Sequence, residues 1–589
     1  MKNKILPIFI IFAVPILYFY NEAIAVLLTS LVVSGFALYT LWEQQKIKLL
    51  PSRILFVFIV LLGIWLFTVG RSVFLSCSIY GSISAFIKTC VLLLLSYSTC
   101  YQLASDSSSK LLFFRIAAFS GFFQGIMAIC EYIEAPPIPS TWLDPASKEL
   151  FRTRCCGIMT DPNIFAAFLS ALFIMTVALI IFSDSKKEKM LAAASLILCG
   201  IGIMTTLSRG GWIALFAALV SIAISLFIAK IKPDKTTVKI LTCSALILLI
   251  IFFSGPFKYR LFSITKPSDM TFFQRTLINK GILGSINKLP VYGHGLHSFL
   301  LVYPLYRIVG GDYPMYAHNE YLQSMIETGF FSSILLAVIT IYLLRFSYIA
   351  AKNKKIDSMI FSAVFISFLI QNLSGFSSRI FPTALLIDLS VGGITSCQLK
   401  ITKESIKKFA LISNNTIKYA VIALIILVIP GCLNLFHTQS LFEKANSCLS
   451  SQNLLEAIKT YESILQKEPN NPSAANTLGM ILVLAKQKDK AETIWKNAAN
   501  ANKYEAIFPI DLARLYVETD ENQAIHYYSK ALEIDPASEL FRLEFAKYLI
   551  KQEKKQEAKE VITKGLTYSP GFHNVYIGFK EMEELLTKL

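Results

Sequence analysis

The chain has 589 residues, a mean hydropathy of +0.56 and 54% hydrophobic residues, with only 16% charged. Soluble domains carry about 25% charged residues, so most of this chain is dissolved in lipid. Its net charge of +17 first suggests nucleic acid, but the basic residues form no single patch, which argues against that partner.

Apolar runs long enough to cross a bilayer predict thirteen spans, at about 5–20, 22–42, 54–70, 83–103, 111–131, 164–182, 190–207, 212–229, 239–254, 329–348, 358–374, 381–397 and 419–436. Lys2 and Lys4 precede the first run as in a signal peptide. No small-residue cleavage site follows and a second span begins at once, so a retained first helix is expected. Lys and Arg gather in alternate short loops: Lys46, Lys48 and Arg53; Lys186, Lys187 and Lys189; Lys230, Lys232, Lys235 and Lys239; Arg345, Lys352, Lys354 and Lys355; Lys400, Lys403, Lys407, Lys408 and Lys418. Thirteen spans with a cytoplasmic N-terminus place all of these inside, as the positive-inside rule asks. The remaining loops and the C-terminal segment then lie outside. Cysteines sit mostly within spans as small hydrophobes, and adjacent Cys155 and Cys156 receive no function.

The outside loops carry arginines against the topological trend. Loop 132–163 ends in Arg154-Cys155-Cys156-Gly157, with Asp161-Pro162-Asn163 opening the next span; Ser208-Arg209-Gly210 is a very short turn between spans. The long loop 255–318 carries Arg260, Arg275, Gly293, Gly295, Arg307 and Asp312. A guanidinium is a planar fork matched to phosphate, so Arg154, Arg209 and Arg275 are candidate anion binders. Arg71, Arg260, Arg307 and Arg379 read more readily as headgroup anchors or ion-pair partners. At the end of the loop stands His318-Asn319-Glu320-Tyr321-Leu322-Gln323. A helix starting there aligns Asn319, Gln323 and Glu327 as one polar stripe entering an apolar helix, with His318 and Glu320 at its mouth. Such a stripe is expected to face the bundle interior or a wet cleft. The GxG of Gly293 and Gly295 is no nucleotide signature without a preceding strand.

After the last span the sequence turns charged and helix-favouring. Ala457, Ala491, Ala524 and Ala558 recur at intervals of 34, 33 and 34 residues, and Tyr461, Trp495, Tyr528 and Ile562 stand four residues after each. Pro469, Pro536 and Pro570 close the first, third and fourth units, where the second has Lys503. This resembles the tetratricopeptide repeat, a solenoid that commonly presents a groove to a protein. The expected fold is therefore all-α. Residues 1–438 form a polytopic membrane bundle of about 12–13 spans, and 439–589 a soluble helical-repeat domain on the periplasmic side.

The loop motifs together resemble the O-antigen ligase and polymerase superfamily of bacterial envelope glycosyltransferases. The matching positions are Arg154, Gly157, Pro162 and Asn163; Ser208, Arg209 and Gly210; Arg275, Pro290, Gly293 and Gly295; and His318, Asn319, Leu322, Gln323, Glu327 and Gly329. The repeat domain departs from the minimal ligase. The resemblance implies transfer of a glycan from an undecaprenyl-diphosphate carrier to an acceptor hydroxyl at the periplasmic face of the inner membrane, with no cofactor. Arginines stabilise a diphosphate leaving group, and no Asp-x-Asp pair stands in the chain for a metal. His318 is then the general base, while Arg209 and Arg275 hold the diphosphate and Arg154 supports them. Asn319, Gln323, Glu320 and Asp312 are candidate substrate contacts. Asp312 or Glu320 stands as the alternative base, with His318 positioning the acceptor. A lipid A–core sugar, a second carrier-linked glycan or a protein Ser/Thr all remain acceptors. A lipid-linked glycan transporter and a membrane-anchored scaffold are the alternatives from other classes.

Overall fold

The computed structural model describes residues 5–44, 49–105, 109–139, 151–262, 270–308, 314–401, 408–569 and 577–589. They are almost entirely helical, with one three-residue antiparallel pair, Leu49–Pro51 against Leu399–Ile401. The N-terminal part contains α1 (Ile5–Tyr20), α2 (Glu22–Gln44), α3 (Arg53–Phe74), α4 (Ile79–Ser105) and α5 (Ser109–Glu134). Next come α6 (Pro162–Phe182), α7 (Lys186–Thr205), α8 (Arg209–Ala229) and α9 (Lys235–Ser254). The long loop holds α10 (Phe257–Phe262) and α11 (Met270–Gly284), and α12 (Glu320–Lys352), α13 (Ile356–Gln371), α14 (Phe381–Thr395) and α15 (Lys408–Ser450) complete the bundle.

Among the described residues ten helices are long and apolar enough to cross a membrane, namely α2 to α9, α12 and α15. The other three expected runs are helical but short, α13 having 16 residues and α14 15. At 1.5 Å per residue these fall below the roughly 30 Å of a hydrocarbon core. Between α13 and α14 the chain from Asn372 to Ile380 turns at the end of the bundle where Arg379 meets Glu320 and Glu327.

Helix α6 is the hub. It is apolar on every side and 94% of its central window is buried, as a helix surrounded by other helices must be. It packs on α5, α7, α8 and α13. Helix α3, by contrast, is only 17% buried over its window and presents its apolar surface outward. The caps at the site end are local and strong. Asp161 accepts from the amides of Asn163 and Ile164, with Pro162 opening α6; Ser208 accepts from Gly211 at the start of α8; Asn319 accepts from Leu322 at the start of α12.

Helix α12 is broken at Gly329, where φ is 85° and ψ 169°. The break frees carbonyl groups that a continuous helix would use. Two are taken up by the loop: the amide of His294 donates to Ile326 O at 2.9 Å, and that of Gly295 to Glu327 O at 2.8 Å. A Cβ on Gly293 would lie 2.3 Å from the Glu327 carbonyl oxygen, so only glycine allows this approach. The two glycine motifs of the sequence are thus the two halves of one joint.

Helix α15 runs without interruption through residue 438, where a domain boundary was expected. Beyond it, α16 (Leu454–Lys467), α17 (Pro472–Leu484), α18 (Lys488–Ala501), α19 (Ile507–Tyr516), α20 (Glu521–Ile534), α21 (Glu539–Lys551), α22 (Lys555–Leu566) and α23 (Ile577–Lys588) each pack on the next. Ala457, Ala491, Ala524 and Ala558 are fully buried, each beside a buried Tyr461, Trp495, Tyr528 or Ile562.

Gly329→Ala forces a side chain into a region of φ/ψ space that is essentially glycine's own, a cost of order 1–3 kcal/mol. We expect a lower thermal midpoint and faster hydrogen exchange at the His294 and Gly295 amides. Unchanged exchange at those amides would show that the loop does not depend on the break.

Candidate active site

The motif residues meet at one end of the bundle. Arg154, buried ahead of α6, donates from Nε to Thr206 O at 2.9 Å and from Nη2 to Asn163 Oδ1 at 3.0 Å. The same Asn163 oxygen accepts from Ser208 Oγ at 3.0 Å, and the Asn163 backbone carbonyl accepts from Gln371 Nε2 at 3.2 Å. Asn163 therefore ties the Arg154 segment, the Ser208-Arg209 turn and the end of α13 into one knot. The turn itself is tight: Leu207 adopts a φ of 54°, and Ser208 caps the helix that Arg209 opens.

Arg260, on α10, is buried and donates from Nε to Leu207 O at 3.4 Å. Burial and the Arg260 charge pull the Arg154 guanidinium below its usual range, with Arg275 and Arg209 adding to the effect and Asp161 opposing it. Arg154, Arg209, Arg260 and Arg275 thus lie within one electrostatic neighbourhood, drawn from separate segments of the chain.

His318 shares it. Its backbone is left-handed, with φ 49°, and its ring meets Phe376 edge-on at 5.2 Å, Phe376 in turn stacking on Tyr316 at 4.3 Å. Burial above all, then the charges of Arg275 and Arg154, push the imidazole down to about 3. The ordinary histidine value of about 6.5 therefore does not describe this ring. Nδ1 is buried and has no hydrogen-bond partner among the described residues. A neutral imidazole with an uncommitted nitrogen is able to accept a proton or a ligand hydrogen bond.

The rest of the stripe is built differently. Asn319 is the α12 cap. Gln323 accepts from the Ala317 amide at 3.0 Å and donates to Glu327 Oε1 at 3.0 Å. Glu327 is fully buried and pairs with Arg379, which also pairs with Glu320 at 2.6 Å. Burial lowers the Arg379 pKa, but Glu320 and Glu327 more than reverse that, so the guanidinium is held above its usual range. Gln323 and Glu327 face inward, and Glu320 is committed to an ion pair. Asp312 lies outside the described residues.

Two contributors escaped the sequence reading. Arg260 stood there as an anchor or ion-pair partner. Glu131, near the end of α5, accepts from the backbone amides of Cys156 at 3.0 Å and Gly157 at 2.8 Å, holding the turn that follows Arg154. Its only sequence signal is an acidic residue at the end of an apolar span. Among the described residues, no three His, Cys, Asp or Glu side chains form a set able to hold a metal.

The fold and this end of the bundle define a multi-pass helical membrane protein with a cationic, histidine-bearing site. Residues 193–337 match the family model described as O-antigen ligase. That stretch contains Arg209, Arg260, Arg275, His318 and the Gly329 joint, and it supports glycan transfer by a ligase- or polymerase-like membrane enzyme. No curated protein matches the chain.

Two outcomes follow. Glu131→Ala leaves two amides without their acceptor and loosens Arg154. We expect at least a several-fold rise in donor KM, since a buried lost bond costs about 1–3 kcal/mol, with Glu131→Gln recovering part of it. Equal KM in Glu131→Ala and wild type removes the link to Arg154. Burial also pushes His294 down to about 4, and it is the main cause lowering His297. Unfolded histidines bind protons below about pH 6.5 more readily than these three do in the fold, so stability is expected to fall as pH drops from about 6.5 toward 4. A His318→Gln protein should lose less over that window, read as thermal midpoint against pH.

Proposed function

We propose that this protein transfers a glycan from an undecaprenyl-diphosphate carrier to an acceptor hydroxyl at the periplasmic face of the inner membrane, without a metal. The observation that carries the reading is the gathering of Arg154, Arg209, Arg260 and Arg275 near His318, whose Nδ1 has no hydrogen-bond partner among the described residues. The acceptor oxygen attacks the anomeric carbon as its proton passes to His318. The bond from that carbon to the phosphate oxygen breaks, the electron pair leaves with the diphosphate, and the configuration inverts. Arg209 and Arg275 meet the charge that grows on the leaving group, with Arg154 and Arg260 behind them. Asn319, Gln323 and Glu320 shape the acceptor side, directly or through the Arg379 triad. With short α1, α13 and α14 counted as crossing, the alternating basic loops support the sidedness.

A glycan acceptor is the first reading, which makes the enzyme a ligase; a carrier-linked acceptor makes it a polymerase. A protein Ser or Thr is the second reading. It is favoured by the contact of the C-terminal helices, which we assign as tetratricopeptide repeats, with the catalytic loop: Arg307 Nη1 donates to Ala537 O at 3.3 Å.

Binding of a diphosphate opposes the arginine field, so His318 becomes more basic in the donor complex than in the free enzyme. The acid limb of kcat is then expected at higher pH than that of kcat/KM, with the separation reduced in Arg275→Gln. Coincident limbs would leave His318 outside proton transfer.

The decisive assay offers purified carrier-linked glycan with lipid A–core or a pilin-like protein as acceptor, in EDTA. Transfer is expected to persist in EDTA and to fall at least about 100-fold in His318→Ala, the low end of what a general base supplies, and in Arg209→Ala. Full activity in His318→Ala would overturn the base assignment. No product from folded wild type and authentic donor would turn the reading to a transporter or scaffold.

A further inference from the structure

The C-terminal helices meet the catalytic loop at a cavity of about 360 Å³ lined by residues of three segments. Tyr292, Gly293 and His294 come from the loop, Ser76 and Cys77 from the α3–α4 turn, and Ala501, Lys503 and Tyr504 from the end of α18. Lys503 stands where the other units carry proline, so the repeat pattern lapses at the unit that lines this cavity. Its walls are fixed. His294 Nε2 is bonded to Tyr306 Oη at 2.7 Å, the Tyr504 ring sits edge-on to His294 at 5.6 Å, and the Arg71 guanidinium covers one face of Tyr292 at 3.7 Å. The His294 carbonyl accepts from the Cys77 amide at 3.0 Å.

We infer that this cavity is a saccharide subsite, one that takes a sugar unit of the transferred or receiving glycan. The inference rests on the glycan-transfer reading. Three features carry it. Tyrosine rings supply flat apolar faces with polar tips, which match a sugar's alternating C–H and O–H surface. The lining contains a lysine and no carboxylate, so it accepts neutral or acidic sugars. The volume lies at the small end of ligand sites and suits one or two sugar residues. The cavity wall is also the joint of the site: the same His294 and Gly295 backbone that borders it caps the break in α12. Glu327, whose carbonyl is capped there, lies about 10 Å along the helix from Glu320, the residue that begins it. A sugar held here is therefore within a few residues' reach of His318, as the rest of a glycan must be when its reacting end is at the base.

The test uses full-length protein in detergent micelles and saturation-transfer NMR, which needs no transfer reaction. Two probes separate the sources: the oligosaccharide released by mild acid from the carrier-linked donor, and core oligosaccharide released from lipid A. The first binding alone assigns the subsite to the donor glycan, and the second alone to the acceptor. In either case Lys503→Ala, an exposed residue whose loss leaves the fold intact, and Tyr292→Ala should each weaken binding about two- to tenfold, as loss of one ring face or one polar contact does. Tyr504→Phe keeps the packing and should bind as wild type. Binding of neither probe, or wild-type affinity in both Lys503→Ala and Tyr292→Ala, overturns the subsite. An inactive but probe-binding protein would instead count against the transferase reading alone.

Discussion

Guanidinium groups repel one another, and burying two of them, Arg154 and Arg260, close to half-buried Arg209 and Arg275 is the constraint on which the site end of this fold depends. Part of the compensation comes from dipoles. Thr206 and Leu207 follow directly on the last turn of α7, so their carbonyls belong to the partially negative end of that helix. Thr206 O receives Arg154, and Leu207 O receives Arg260. The Asn163 side chain adds a further carbonyl oxygen. Such acceptors stabilise a cation without cancelling its charge. The left-handed Leu207 and the Ser208 cap turn the chain so sharply that the carbonyls point at arginines from other segments.

The other half of the site follows the opposite rule. Arg379 meets two carboxylates, Glu320 and Glu327, and its charge is spent within the protein. Removing either acid would leave a buried, partly uncompensated ion, which is why such triads hold geometry more than they supply energy. His318 stands two residues before Glu320 and within the field of Arg275 and Arg154. It therefore lies between the Arg379 triad and the cluster of arginines drawn from other segments of the chain.

Much of this was legible in the chain. Apolar runs located the spans, and the caps at Asp161, Ser208 and Asn319 are local chemistry readable within three residues. Arg154 and Arg209 stood out because they oppose the charge bias of their loops. Arg260 did not, because its significance lies in a contact with Leu207 more than fifty residues away, and nothing local marks it. Glu131 was hidden likewise: an acid at a span's end has the same sequence appearance whether it faces water or receives two amides. The weak Gly293-x-Gly295 signal acquired meaning only with Gly329, since neither glycine's backbone requirement exists without the other's carbonyls. Short α13 and α14 read as full spans because hydropathy counts apolar residues and does not register the turn at Asn372 to Ile380 that separates them.

The spacing between arginine and histidine is itself a packing result. Ile278 and Ile282 follow Arg275 on α11, while Ala317, Met325 and Ile326 flank or follow His318, and all belong to one buried cluster with Phe299, Tyr303 and Tyr306. Tyr504, from the C-terminal helices, packs against that same cluster. Close-packed interiors transmit strain because they have few voids in which to absorb it. A shift of Tyr504 is therefore felt by the helix that carries Arg275 and by the strand of chain that carries His318, together. The C-terminal helices form part of the wall that sets the distance between the Arg275 guanidinium and the His318 imidazole.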